Sequence, residues 1–191
     1  MSRTEEEGEP TPYIVEDVPY WISVNINPVL ENGQVLNLYG RRFSMAKKEI
    51  LDLGVKNVLG DKRNNIIAMA APSCGKNEYK RKELEKLVKT VFAAFAGAVK
   101  CGIGCGRKKS FIHTGNWGAG AFANNRELIY LVQLIGASAV GISKLIFHCI
   151  DEKDFANAEK KFSDWTGNCS FSDLIDFLQE RHYFWKVGDG N

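Results

Sequence analysis

Three glycines, Gly115, Gly118 and Gly120, punctuate the stretch "FIHTGNWGAGAFANN" at residues 111–125, after an apolar run and before a helix-forming one. Glycine leaves no side chain to hold a ligand away, and it admits the positive φ values that aim successive amide hydrogens into one cavity. Such a cradle suits phosphate oxygens. Asn124 or Asn125 can cap the helix that follows, Asn124 with Glu127 at capping-box spacing, and the positive end of that helix favours an anion close by. Trp117 and Phe122 interrupt the glycines, and a bare phosphate loop needs neither. Trp117 can equally tuck under the loop as an anchor, whereas Phe122 is better suited to cover a ribose or base; aromatic area beside a phosphate cradle describes a nucleotide site. The spacing fits neither the dinucleotide fingerprint nor the P-loop, so the residues alone specify only a phosphate-bearing nucleotide.

Other chemistry-bearing residues have plainer explanations. Glu5, Glu6 and Glu7 stand in an acidic leader and read as solvated. Glu78, Glu83 and Glu85 fall in a lysine-rich helical stretch, where ion pairing accounts for them. Asp151 follows an apolar strand and stands either at the ligand edge or as a helix cap. His113 and His148 lie in or at the end of strands and read as histidines satisfied by backbone. Cys101, Cys105 and His113 match no common zinc spacing and lack an evident fourth ligand, so no metal and no cofactor is expected.

The chain has 191 residues and a net charge of +2, enough to bury a real core and too balanced to attract nucleic acid or a membrane by its total charge. Its cations cluster locally: Lys76, Lys80, Arg81, Lys82, Lys86 and Lys89 in one segment, Arg107–Lys109 just ahead of the glycines. Five cysteines make an odd count, and the beginning "MSRTEEEGEP" has no apolar signal sequence. Reduced thiols in the cytoplasm or nucleus are therefore expected. No run reads as long and apolar enough to cross a membrane.

The elements that must position the glycines follow from periodicity. Residues 1–17 read as a disordered acidic leader, and 18–191 as a single domain. "YWISVNI" and "VLNLYG" read as strands flanking a loop with Asn32-Gly33, an arrangement that suggests a hairpin. Ser44 is expected to cap a helix through "MAKKEILDLGV". "IIAMAAP" is expected to be a strand covered on both faces, and "RKELEKLVKTVFAAFAGAVKCG" a long amphipathic helix. A strand at "SFIH", a helix from about 125 to 139, a strand at "KLIFHCI" and helices at about 152–165 and 171–185 complete the series, the last with a Ser170–Asp173 capping box. Alternating strands and helices predict an α/β protein with a largely parallel central sheet, whose strand ends carry the glycine turn to the ligand edge.

The phrase "TGNWGAGAF" resembles the loop T-G-N-W-G-C-G-A-F-G-G of poly(ADP-ribose) glycohydrolases. Its flanks "NIIAMAAP", "RELIYLVQLIGASA", "KLIFHCID" and "SFSDLIDFLQERHYFW" are similar to that family's neighbouring elements, over about residues 64–186. The resemblance implies a macrodomain, a three-layer α/β/α sandwich that binds ADP-ribose. It also implies a ligand site at Thr114, Gly115, Asn116, Trp117, Gly118, Ala119, Gly120, Ala121 and Phe122, the loop wrapping the diphosphate and Phe122 packing on the nucleoside. Ala119 stands where the family has cysteine, and Ala123 and Asn124 stand where it has two glycines. The implied partners are ADP-ribose, poly(ADP-ribose) and ADP-ribosylated proteins.

That family hydrolyses its glycosidic bond with adjacent glutamates in a signature of three glycines followed by Gln-Glu-Glu. This sequence contains no such signature. Binding without hydrolysis is the expectation, with an active enzyme using another carboxylate and a non-binding scaffold as the alternatives. Residues 20–40 are expected to complete a shortened sheet. Valine at Gly118 or Gly120 is expected to abolish binding and leave the fold largely intact.

Overall fold

A computed structural model describes residues 5–6, 9–58, 60–72, 75–148, 152–165 and 170–188. In chain order its elements are β1 (Glu5–Glu6), β2 (Glu9–Pro10), β3 (Tyr13–Pro19), β4 (Ile22–Val24), α1 (Arg41–Met45), α2 (Lys48–Gly54), β5 (Val55–Asn57), β6 (Arg63–Ala68), α3 (Arg81–Gly104), β7 (Phe111–Thr114), α4 (Arg126–Ala139), β8 (Lys144–Phe147), α5 (Glu152–Ser163) and α6 (Phe171–Gln179). The chain divides into two compact units, one of residues 1–14 and 67–190, the other of residues 15–66 with Asn191.

The first unit is built on α3 and α4. Leu84, Leu87, Val88, Val91 and Phe95 recur at helical spacing along α3, and all are buried. They pack with Leu128, Ile129, Leu131 and Val132 of α4, Ile112 of β7, and Leu174, Ile175 and Leu178 of α6 in one continuous core. Gly136 lets the two long helices approach, since a Cβ there would come within 2.7 Å of the Val91 side chain. By length and composition α3 is apolar enough to cross a membrane, which corrects the reading that no run is. Its buried stripe packs against α4 and α6.

Beside these helices, β7 and β8 pair in parallel, with Ile112 opposite Leu145 and His113 opposite Ile146. This is the strand–helix–strand crossover read from "SFIH" and "KLIFHCI", and it carries the glycine turn directly into α4. Ser170 accepts from the Asp173 amide, and the Asp173 carboxylate accepts from the Ser170 amide at 2.8 Å, closing the expected box on α6. That helix stops at Gln179 instead of near 185. His182 takes a left-handed φ of 48°, and the chain turns back as a strap in which Tyr79 and Tyr183, and Asn77 and Trp185, join by backbone bonds of 2.9 and 2.8 Å.

The second unit departs further from expectation. Val29 and Val35 bridge across the Asn32-Gly33 turn, and the Leu36 and Leu38 amides donate to Pro28 and Ile26, so the two runs do meet as a hairpin. β4, however, pairs antiparallel with β5, with Ser23 opposite Lys56, and this ladder is separate from β7–β8; residues 20–40 do not extend that pair. Ser44 lies inside α1, where its hydroxyl donates to the Arg41 carbonyl, and Lys47 precedes α2. β6 pairs with β3 and ends at Ala68, and residues 63–66 are exposed, so this strand is not covered on both faces. Its first half, Arg63-Asn64-Asn65, is too polar to be buried twice. Tyr13–Pro19, placed by sequence mostly in the leader, forms β3, and its Tyr13, Ile14, Val15 and Val18 are strand formers. The described strands thus form four two-stranded ladders.

Candidate functional site

The glycine loop leaves β7 at Thr114, and two buried polar residues of α4 grip its root. Gln133, fully buried, accepts from the Thr114 hydroxyl and donates to the Gly115 and Ile129 carbonyls at 3.2 Å each. Tyr130, three residues earlier and therefore on the same helix face, donates its hydroxyl to Asn116 Oδ1. Its ring lies edge-on to Phe147 and Phe155. Gly115 is tightly placed: a Cβ there would sit 3.1 Å from the His148 carbonyl oxygen.

The exit of the loop is held by Asn124, which is fully buried. Its amide donates to the Gly118 carbonyl at 3.1 Å; its side-chain nitrogen donates to the same oxygen at 2.9 Å and to the Pro72 carbonyl at 2.8 Å. Asn124 Oδ1 in turn accepts from the Tyr79 hydroxyl at 3.1 Å, while that hydroxyl accepts from the Asn125 amide at 3.0 Å. Burial pushes the Tyr79 phenol well above its ordinary range, which keeps it in the neutral form that can donate. Asn125 is the cap of α4, its side chain accepting from Leu128 at 3.2 Å. The box from Asn124 to Glu127 does not form, because Asn124 is spent on the loop and Glu127 pairs with Lys161 and Tyr183.

Gly118 takes φ +69°, and a Cβ there would fall 2.4 Å from the Ala71 side chain and 2.8 Å from Asn124 Nδ2. The protein's own packing therefore demands this glycine, and the expectation that Gly118→Val leaves the fold intact is corrected. Trp117 is an anchor: its indole donates to the Met69 carbonyl at 3.2 Å and its ring packs on the core, as does Ala119. Between root and exit the crest is open. The Trp117, Ala119 and Ala123 amides donate to Gly115, Asn116 and Gly120, but among the described residues those of Gly115 and Asn116 at the root, and of Gly118, Gly120, Ala121 and Phe122 at the crest, donate to no acceptor. Ala121 and Phe122 are exposed, Phe122 by 47%. An exposed aromatic ring beside unpartnered amides is an arrangement that takes an anion attached to a flat or sugar-like group.

The candidate carboxylates stand elsewhere. Glu78 meets His182 at 2.7 Å, Glu83 accepts from the Lys80 amide at 2.7 Å, and Glu85 pairs with Arg81 at 3.2 Å. Glu7, Asp151, Cys74, Cys149 and Cys169 lie outside the described residues. His113 Nδ1 and His148 Nε2 share a 3.0 Å hydrogen bond across β7 and β8, satisfying each other instead of the backbone. Among the described residues no three metal-ligating side chains gather. An apolar cavity of about 480 Å³ opens between α3, α4 and α6, lined by Phe92, Val132, Trp165 and Phe171 among others; no residue of the glycine loop lines it.

Sequence reading missed Tyr79, Tyr130 and Gln133, and missed the work Asn124 does. The signal was a fully polar tip at Gln133 inside the apolar stretch "RELIYLVQLIGASA".

Comparison with curated proteins finds no match. A family model described as poly(ADP-ribose) glycohydrolase (PARG), macro domain fold, matches residues 31–157. The match takes in α3, β7, the glycine loop, α4 and β8, and it begins and ends earlier than the span over which the sequence resembles the family. Covering more than half of the chain, it shows that this protein belongs to the poly(ADP-ribose) glycohydrolase family and to the macro domain fold.

Proposed function

We propose that the loop Thr114–Phe122 binds ADP-ribose, free or as a unit of poly(ADP-ribose) on a modified protein, and that the chain does so without cleaving it. The observation that carries the reading is the open crest: four amides without acceptors among the described residues, on a loop whose two ends are fixed by buried hydrogen bonds. Fixed ends matter because a donor array that is already in place costs little ordering on binding. In this reading Gly118, Gly120, Ala121 and Phe122 face the ligand, the amides toward the diphosphate and the ring toward the nucleoside. Thr114, Gly115, Asn116, Trp117 and Ala119 shape the loop through the Thr114 hydroxyl, the Gly115 carbonyl, the Asn116 side chain, and the packing of Trp117 and Ala119.

Binding without hydrolysis is supported by chemistry. Cleavage of a glycosidic bond needs a carboxylic acid at the leaving oxygen and stabilisation of an oxocarbenium-like transition state. The sequence lacks the family's Gln-Glu-Glu signature, and Glu78, Glu83, Glu85 and Glu127 are each tied to a structural partner.

Thermal unfolding with ADP-ribose, against AMP and ribose 5-phosphate as controls, tests the reading. Ligand at about a hundred times its dissociation constant adds about 2.7 kcal/mol, or on the order of 5–10 °C in a chain of this size. A rise specific to ADP-ribose is expected, together with intact labelled poly(ADP-ribose) after incubation. No rise in a cooperatively folding sample would leave the loop a scaffold, and released ADP-ribose would make the chain an enzyme.

A further inference from the structure

After α6 the strap returns across the exit of the glycine loop and is tied down along its length. Glu78 and Phe184 bridge antiparallel, flanked by the Tyr79–Tyr183 and Asn77–Trp185 backbone bonds. Trp185 is buried, stacks on Tyr79 with ring centroids 4.3 Å apart, and is the same ring that a Cβ on Gly75 would strike at 2.0 Å. Asn125 Nδ2 donates to the Phe184 carbonyl at 3.2 Å. The Lys186 amide then donates to the carbonyl of Ala123 at 2.8 Å, and a Cβ on Gly188 would lie 2.7 Å from the carbonyl oxygen of Ala121. Ala123 is buried with φ +60°, a conformation that a non-glycine residue holds only when its surroundings impose it. The strap supplies that constraint.

We propose that Lys186 is a positioning residue of the loop site: its amide fixes the Ala123 carbonyl and hence the set of the crest, and its ammonium supplies the positive charge that the crest's own residues lack. The sequence from Gly118 to Phe122 contains no cation, whereas Lys186 is exposed and is joined through its own amide to the residue that follows Phe122. Its side chain is a flexible four-carbon stem ending in a compact charge, which is free to turn toward a dianionic group seated on the crest amides. The charge half of the proposal rests on the reading of the loop as an ADP-ribose site; the backbone half does not.

The two halves separate by substitution in the full chain. Lys186→Pro deletes the amide and Lys186→Ala keeps it while deleting the charge. Amide exchange of Ala123, Asn124 and Asn125 is read alongside that of Val91 and Phe95 in α3, and ADP-ribose affinity is measured at low and high salt. Lys186→Pro is expected to speed exchange at the loop amides at least tenfold with the α3 amides unchanged, and to weaken ADP-ribose at least tenfold. Lys186→Ala is expected to leave exchange alone, weaken ADP-ribose about three- to tenfold and flatten the salt dependence, with Lys186→Arg restoring both. Unaltered loop exchange in Lys186→Pro overturns the positioning role. Undiminished affinity and salt dependence in Lys186→Ala overturn the charge role. If the wild-type chain does not bind ADP-ribose at all, the functional reading and the charge role fall together, and exchange alone decides whether the strap sets the loop.

Discussion

The two ends of the glycine loop, rich in threonine and asparagine, and its crest of glycine, alanine and phenylalanine are treated in different ways. At the ends, the Thr114 hydroxyl, the Gly115 carbonyl and the Asn116 and Asn124 side chains bond to Gln133, Tyr130, Tyr79 and Pro72 within the protein. At the crest, Gly118 and Gly120–Phe122 leave their amides without acceptors among the described residues. A buried amide without a partner costs about 1–3 kcal/mol, so an unpartnered set is tolerated only where water or a ligand reaches it. The contrast separates glycine used for packing, as at Gly118, from backbone presented outward.

Substitutions should respect that division. The largest expected effect is at Asn124: Asn124→Leu strands the Pro72 carbonyl and the Tyr79 hydroxyl proton in a buried site, leaves the Gly118 carbonyl only its backbone bond, and should cost about 3 kcal/mol in denaturant unfolding. Gly118→Val follows at about 2–3 kcal/mol, because it forces a branched side chain into φ +69° and into Ala71. Were either variant as stable as wild type, the packing of Asn124 against Gly118 would not be the rigid part of the loop.

Alkaline pH probes the same frame. Burial raises the phenols of Tyr79 and, with help from Glu127, Tyr183. Both folded-state values lie above the unfolded one, so their contribution is complete below about pH 10 and lost as pH climbs beyond it. Stability measured from pH 8 upward should therefore hold level to about 10 and then fall, and Tyr79→Phe should reduce the fall. Tyr130→Phe, which removes one hydrogen bond to Asn116, should cost about 1 kcal/mol.

Least affected in stability should be the two exposed crest residues. Phe122→Ala and Ala121→Glu are expected within about 0.5 kcal/mol of wild type by unfolding, since both positions are exposed. Calorimetric titration should nonetheless show ADP-ribose weakened by about 1–3 kcal/mol for Phe122→Ala, and by at least tenfold for the added carboxylate. A large loss of stability in these two would erase the distinction between ends and crest.

How far this was legible in the sequence follows from the range of the interactions. β7, the loop, α4 and β8 were readable because each rests on local pattern: an apolar run, glycine spacing, a 3.6-residue stripe, and an asparagine cap whose position the structure fixes at Asn125. Family identity was readable from the phrase "TGNWGAGAF" and stands on the match over residues 31–157. The clamps on the loop were not readable. Tyr79 and Asn124 are 45 residues apart, Met69 and Trp117 48, and nothing local announces that they meet. The second unit misled for a related reason: "YWISVNI" has the alternation of a strand, but its partner is chosen by tertiary pairing, and that partner is β5. The C-terminal strap was hidden by helix-like periodicity that continues past Gln179, where the left-handed turn at His182 overrides it.

The measurement that bears most directly on the account is an amide NMR titration of the wild-type chain with ADP-ribose. The predicted result is that the Gly118, Gly120, Ala121 and Phe122 amides shift and become protected from exchange, while Asn124 and Asn125, already bonded, change little. Shifts confined to residues lining the apolar cavity, such as Phe92 and Phe171, or no shifts at all, would contradict the placement of the ligand on the crest.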